Sequence, residues 1–182
     1  NGHPSINHLG DTDHPSDEAI WDMANTLRML THDAPPLFGV ATDDSHYYHG
    51  GNVSPGRGWV MVWAKELDAN QLVKSMERGE FYASTGVVLE EVRYDQGSRK
   101  HLIEITPMEG VDFETQFIGT RRSTPDTTGE VFATMSGPIA EYQLSGDELY
   151  VRAVITSTRK HPNPSYSDQK EQAWTQPIGW RK

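Results

Sequence analysis

The chain has 182 residues and no cysteine, and its 16 lysines and arginines against 26 aspartates and glutamates give a formal net charge of −10. The length allows one large domain or two small ones, and the absence of cysteine excludes disulfides and cysteine-ligated zinc while leaving periplasmic, secreted and cytoplasmic locations open. Because the chain is acidic, has no basic cluster and contains no membrane-length apolar run, we expect neither nucleic acid nor a membrane as a partner.

The first predicted element is a helix from about Asp17 to Leu30, in the segment HPSDEAIWDMANTLRML. Ser16 can cap its first amides, and Asp17 and Glu18 favour the positive end of the helix dipole. An apolar stripe runs along this helix, formed by Ile20, Trp21, Met23, Ala24, Leu27 and Leu30.

Two apolar segments then predict buried strands. The run from Leu37 to Ala41 follows two prolines and precedes a polar loop, and the run from Trp59 to Ala64 follows that loop. Trp59 and Trp63 fall on apolar positions here, as Trp21 does in the helix, and we interpret all three tryptophans as core residues rather than as a substrate platform.

A second helix is predicted from Ala69 to Arg78. Asp68 and Gln71 have the spacing of a capping box, and Gly79 follows as a stop signal. Leu67 and Leu72 have the spacing of a hydrophobic staple across the start of this helix.

From about Val87 the apolar pattern changes to a period of two. Seven such segments, separated by short turns rich in Gly, Asp, Pro and Ser, predict an antiparallel sandwich of the immunoglobulin-like kind. The fold class is therefore α/β followed by all-β, with a boundary near Glu91 that divides the chain into residues 1–91 and 92–182. The polar insertion TSTRKHPNPSYSDQKEQ, between the last two strands, predicts a mobile surface loop.

A polar motif, TDDSHYYHGG, follows the first predicted strand. Asp44 and His46 are two residues apart just past a strand end, where a carboxylate and an imidazole can turn toward one divalent cation. The alternative is a solvated loop, since such short motifs occur without a metal. The position at the end of a strand favours the metal, because α/β enzymes build their sites there.

The phrases ATDDSH, HG, GRGWVMV and GEFYASTG together resemble the end of a PHP domain, of the polymerase and histidinol phosphatase superfamily, and within it the carbaryl-hydrolase-like branch. The resemblance covers about residues 1–92, and the rest is similar to a small β-domain appended in that branch. It implies the C-terminal portion of a distorted (βα)7 barrel whose strand ends hold two or three Mn, Zn or Fe ions, with Asp44 and His46 as ligands. The implied activity is metal-assisted hydrolysis of a phosphate ester, or of a carbamate or carboxylic ester, by a metal-bridged hydroxide.

The chain departs from that family because it has no His-x-His pair. Family members begin with such a pair, and several of their earlier strands supply further metal ligands. The opening phrase NGHPSINHLGD also reads like the interior of a domain. We therefore expect a fragment that lacks the N-terminal metal ligands, is nearly inactive alone, and associates with the missing part or with another copy of itself.

Several further residues are candidates for this site, each with a simpler alternative. Asp43 could orient a ligand or could cap backbone amides. Arg57 could clamp an anionic substrate group or form a surface ion pair. His49 could reach the substrate across the Gly50–Gly51 turn, and His3 and His8 could add metal ligands, or all three could be ordinary loop histidines.

Two other interpretations remain. Ser84 and Thr85 suggest a nucleophile, but the sequence places no base beside them and a metal-hydroxide mechanism needs none. The whole chain could also be a non-catalytic module, a partial barrel with a β-sandwich that binds a carbohydrate or a neighbouring protein. Tight binding of Mn, Zn or Fe would distinguish the hydrolase from that module.

Overall fold

A computed structural model describes residues 2–49 and 53–180. In chain order its elements are α1 (Asp17–His32), β1 (Trp59–Val62), α2 (Ala69–Glu77), β2 (Phe81–Ser84), β3 (Leu89–Asp95), β4 (Lys100–Ile105), β5 (Phe113–Arg121), β6 (Glu130–Ser136), β7 (Ile139–Gln143), β8 (Glu148–Lys160) and β9 (Lys170–Thr175). All seven segments with period two are strands, and residues 101–155 contain no helix. The β part of the predicted fold class is confirmed.

The strands form two antiparallel sheets. The larger sheet has six strands in the order β1-β2-β9-β8-β5-β6, and the smaller has three in the order β3-β4-β7. Both sheets contribute to one cluster of buried apolar side chains, including Leu89, Ile103 and Ala140 from the smaller and Phe117 and Ile155 from the larger. The core therefore lies between the sheets, as in a sandwich.

The central strand β8 explains how a third layer is attached. Its alternate residues Val151, Ala153 and Ile155 belong to the core, so Tyr150 and Arg152 project to the outer face of the large sheet. There they bond to Asp22 of α1. Helix α1 therefore packs on the outer face of the six-stranded sheet.

The predicted boundary near Glu91 does not separate two sheets. Strand β2, before it, pairs with β9, after it, through Ala83 opposite Trp174. The division into residues 1–91 and 92–182 stays a prediction about domains, but the six-stranded sheet includes strands from both parts.

The two predicted buried strands were the least accurate part of the prediction. Residues 37–41 belong to neither sheet, and Leu37 and Val40 are 45% and 52% exposed. Strand β1 ends at Val62 rather than Ala64, and it forms an edge of the large sheet with Trp59 and Met61 partly exposed. Every strand pair among the described residues is antiparallel, so the barrel remains a resemblance.

Both helices begin where capping predicts. The Ser16 hydroxyl accepts a hydrogen bond from the Ala19 amide at 3.1 Å, and the Asp68 carboxylate accepts bonds from the amides of Asn70 and Gln71. The predicted staple does not form, because Leu67 is 96% exposed. Neither helix in the described part of the chain is long and apolar enough to cross a membrane.

Most of the apolar stripe of α1 faces away from the sheet, although Trp21 lies against Arg152 of β8. Asp22, Asn25 and Thr26, one helical turn apart, are the buried residues of this helix. Ile20, Met23, Leu27 and Leu30 are all exposed. The polar side of the helix is buried because the outer face of the sheet offers it hydrogen-bonding partners. The Thr26 hydroxyl, for example, bonds to the Thr120 hydroxyl at 2.7 Å.

Candidate functional site

The loop that follows residues 37–41 is held by one carboxylate. Asp43 accepts hydrogen bonds from three consecutive amides, those of Gly56 at 3.0 Å, Arg57 at 2.5 Å and Gly58 at 2.8 Å. Of the two roles considered for Asp43, these contacts match the capping of backbone amides. Asp43 thereby joins the loop that carries Asp44 to the turn that carries Arg57.

Asp44 adopts a left-handed backbone conformation, with φ at 52°. Aspartate is among the few residues that tolerate this region, and such conformations are concentrated at functional sites. His46 follows two residues later, and its amide is fixed by a 3.0 Å bond to the Val53 carbonyl. The Asp44 Oδ1 and His46 Nε2 atoms are 4.0 Å apart, and both side chains reach solvent.

The ring of His3 lies near that of His46, with the two ring centroids 6.1 Å apart and the rings nearly perpendicular. Its Nδ1 atom accepts a hydrogen bond from the Ser5 amide at 3.1 Å. The structure thus brings together three of the predicted residues, Asp44, His46 and His3, although the sequence separates His3 from the other two by about forty positions.

The donor set fits a divalent cation in part. A carboxylate and an imidazole suit a hard or borderline metal, and atoms bound to one ion at about 2.0–2.2 Å lie roughly 3 Å from each other. The 4.0 Å separation of Asp44 and His46 is longer than that distance, so the two atoms would have to move closer together to bind one ion. No group of three or more His, Asp or Glu side chains is arranged to hold an ion in the part of the chain that the structure describes. Asp44 and His46 therefore form a pair of donors rather than a complete site.

Arg57 is buried, with 6% of its surface exposed. Its Nη1 lies 3.5 Å from the Gly2 carbonyl and its Nη2 lies 3.3 Å from Asn163 Oδ1, while its Nε has no hydrogen-bond partner. Within the described residues Arg57 is buried and pairs with no carboxylate, so the surface ion pair considered as its alternative role is wrong. A buried cation with two long bonds to neutral groups is the least satisfied charge near the loop.

The remaining predicted histidines take different positions. His8 is fully engaged, because its Nδ1 lies 3.0 Å from Asp17 Oδ2 and its Nε2 lies 3.0 Å from the His3 carbonyl. It supports the His3 backbone and, in this arrangement, presents no ring nitrogen to a metal. His49 is exposed in a turn, and its route to the site passes through Gly50 and Gly51, which lie outside the described residues. Its role stays a prediction.

The polar insertion after β8 contributes residues that the sequence did not reveal. His161, Ser165 and Gln169 are buried, so these residues anchor the segment to the rest of the protein while residues between them are exposed. The Ser165 hydroxyl donates to the Gly2 carbonyl at 2.8 Å, and the Asn163 amide group donates to Ser54 Oγ at 3.0 Å. The one sequence signal for these contacts was the short polar stretch HPNPS, and stretches of this kind also occur in ordinary turns.

Burial lowers the pKa of His161, and the charge of Arg57 lowers it further, although the carboxylates of Glu171 and Asp43 act in the opposite direction. The Nε2 atom of His161 is buried without a hydrogen-bond partner. His161 therefore lies close enough to Arg57 for the guanidinium charge to disfavour its protonation.

A buried ionic cluster holds α1 beside this region. Arg152 donates to both oxygens of Asp22, at 2.9 and 2.6 Å, and to Glu18 at 2.9 Å. Tyr150 donates to Asp22 at 2.7 Å, and the Arg152 guanidinium lies 4.8 Å from the ring of Trp21. The carboxylates of Asp22 and Glu18 raise the pKa of Arg152 despite its burial. The single arginine in the apolar segment YVRAVI was the sequence signal for this cluster.

Ser84 and Thr85 have structural roles. The Ser84 hydroxyl donates to the Val87 carbonyl at 2.7 Å, and Thr85 Oγ1 accepts a bond from the Gln172 amide at 2.8 Å. Both residues are buried and tie the end of β2 to β9. No base is bonded to either hydroxyl in the described structure.

The chain matches no protein-family model, no curated protein and no solved structure.

Proposed function

We propose that the chain contributes two ligands, Asp44 and His46, to the divalent-metal centre of an ester hydrolase of the PHP type. The observation that carries the proposal is the 4.0 Å approach of Asp44 Oδ1 to His46 Nε2 on a loop whose backbone Asp43 anchors. The remaining ligands would come from protein outside the described residues, because two donors do not hold a hydrolytic centre.

Each residue has a separate task in this proposal. Asp44 and His46 hold the ion, His3 beside them is a candidate for a third ligand, and Asp43 keeps the loop in place. A bound Mn, Zn or Fe ion supplies Lewis acidity toward water and toward the ester oxygen. The buried guanidinium of Arg57 would attract an anionic group of a small-molecule ester.

Metal titration tests the proposal. Calorimetric titration of the protein with Zn²⁺ or Mn²⁺ is expected to show one weakly bound ion, with affinity lowered on the order of tenfold or more in Asp44→Ala and in His46→Ala. His14→Ala is a matched control, because His14 and Asp11 form another exposed pair, 3.1 Å apart. Equal loss in the control, or no loss in the two ligand variants, would contradict the proposal.

Activity provides the second test. The 182-residue chain is expected to be nearly inactive toward phosphomonoesters and aryl carbamates, even with added Mn²⁺ or Zn²⁺. A longer protein that supplies the other ligands should be active and should lose activity on Asp44→Ala or His46→Ala. Full turnover by the short chain would show that it holds further ligands, and His3 and His49 would be examined first.

The second candidate function is a module that binds a neighbouring protein without catalysis. The exposed apolar side chains of α1 and β1, among them Leu27 and Met61, favour it. Such a module would bind no metal at Asp44 and His46, so the same titration distinguishes the two functions.

A further inference from the structure

A cleft of about 230 Å³ lies on the outer face of the large sheet, beneath α1. Strands β2 and β9 form its floor, and its walls are α1, the segment 39–42 and the insertion that follows β8. This volume would hold roughly eight water molecules at liquid density. The cleft is therefore large enough for a small organic ligand of about one ring.

One end of the cleft is cationic. Arg57, Gly2 and Ser165 line it, and the guanidinium has only the two long bonds to neutral oxygens together with an unpartnered Nε. Asp43 is the nearby carboxylate, but its oxygens accept the amides of residues 56–58. A buried guanidinium is stable when an anion pairs with it, and a planar carboxylate matches its fork of donors.

The rest of the cleft is mainly apolar and aromatic. Trp21, Tyr166 and Trp174 line it together with Leu9 and Val40. Flat rings of this kind pack against the ring of a ligand.

The acidic groups in the cleft already have partners. Asp17 contacts His8 at 3.0 Å. Glu18 accepts bonds from Arg152 and from the Trp174 indole, both at 2.9 Å. Their charges nevertheless disfavour a second anionic group at this side of the cleft.

We propose that this cleft binds a small aromatic monoanion, with its carboxylate at Arg57 and its ring between Trp21 and Trp174. The inference goes beyond the hydrolase proposal, because it depends on the cleft alone and stands whether or not a metal binds at Asp44 and His46.

Calorimetry on the metal-free protein tests this inference with three probes. Benzoate carries both the ring and the charge, benzyl alcohol lacks the charge, and cyclohexanecarboxylate lacks the aromatic ring. We expect benzoate to bind at least about tenfold more tightly than benzyl alcohol, since a hydrogen bond to a charged group contributes that much, and more tightly than cyclohexanecarboxylate. The proposal would be overturned if benzoate did not bind at concentrations up to 10 mM, or if benzyl alcohol bound as tightly as benzoate.

Variants then locate the binding. Arg57→Gln should weaken benzoate binding by about 10–100-fold, whereas Arg93→Gln, an exposed arginine on β3 that pairs with Glu91, should leave it unchanged. Thermal melting of both variants checks that they fold. Tyr166→Ala, which removes another aromatic ring from the lining of the cleft, should weaken benzoate several-fold and gives an independent test if Arg57→Gln does not fold. Unchanged binding in a folded Arg57→Gln or in Tyr166→Ala would place the ligand elsewhere.

Discussion

At the scale of single residues, adjacent aspartates have different functions because their backbones differ. Asp43 turns inward and accepts three amides, while the left-handed conformation of Asp44 carries the next carboxylate outward, to within 4.0 Å of His46. One residue therefore fixes the loop, and its neighbour lies beside His46. The sequence showed both carboxylates in one loop, but the backbone angle that separates their roles arises from the contacts of the folded loop.

His101 makes the fold sensitive to acid. It is completely buried beside Phe117, its Nδ1 lies 3.2 Å from the Arg93 carbonyl, and its Nε2 has no partner. Desolvation lowers the pKa of His101 from 6.5 to about 4, although the bond to Arg93 opposes the shift. Below pH 6.5 the unfolded chain therefore takes up a proton that the folded chain refuses.

We predict that the free energy of unfolding falls by about 2–3 kcal/mol between pH 6.5 and pH 4.5 because of this one group. Urea unfolding at several pH values measures the slope. His101→Leu should flatten it, leaving the smaller contribution of His161, whose pKa is also lowered. The exposed His14→Gln is the control and should keep the slope, and an unchanged slope in His101→Leu would show that other groups cause the acid sensitivity.

At the scale of elements, α1 buries its polar side. The Arg152–Asp22 pair is 1% and 3% exposed at its side chains, so the helix is attached to the sheet through a buried ion pair rather than through its leucines. Buried pairs of this kind are costly to break from one side, because the remaining charge is left without a counterion.

We therefore predict that Arg152→Met destabilises the protein by about 3–5 kcal/mol. The double variant Asp22→Leu with Arg152→Met should be more stable than Arg152→Met alone, since it removes both buried charges. Chemical denaturation of the two single variants and the double variant gives the coupling energy. Simple addition of the two single effects would mean that the pair does not account for the attachment of α1.

At the scale of the whole molecule, several large apolar side chains are exposed on α1 and just after it. Leu27 and Leu30 on α1 and Leu37 and Val40 after it are between 45% and 61% exposed. Nearby, β1 leaves one edge of the large sheet unpaired within the described structure. Patches and free edges of this kind favour association.

We predict that the purified chain self-associates through α1 as its concentration rises. Sedimentation velocity should show a concentration-dependent increase in mass that Leu27→Lys reduces. Leu67→Lys adds the same charge at a leucine that is 96% exposed and lies outside the helix, so it should leave the association unchanged. A monomer at all concentrations would contradict this use of the apolar surface.

Short-range patterns in the sequence determined much of this protein. The seven β segments, the capped starts of both helices, and the common loop of Asp43, Asp44 and His46 could be predicted because alternation, capping and chain proximity act over a few residues. Tertiary structure decided the side of α1 that is buried, the unpaired state of residues 37–41, and the burial of Arg57 beneath an insertion more than a hundred residues later. These features depend on which surfaces meet: a polar stripe is buried only where a partner such as Arg152 satisfies it, and an apolar run becomes a sheet strand only where another strand accepts its hydrogen bonds.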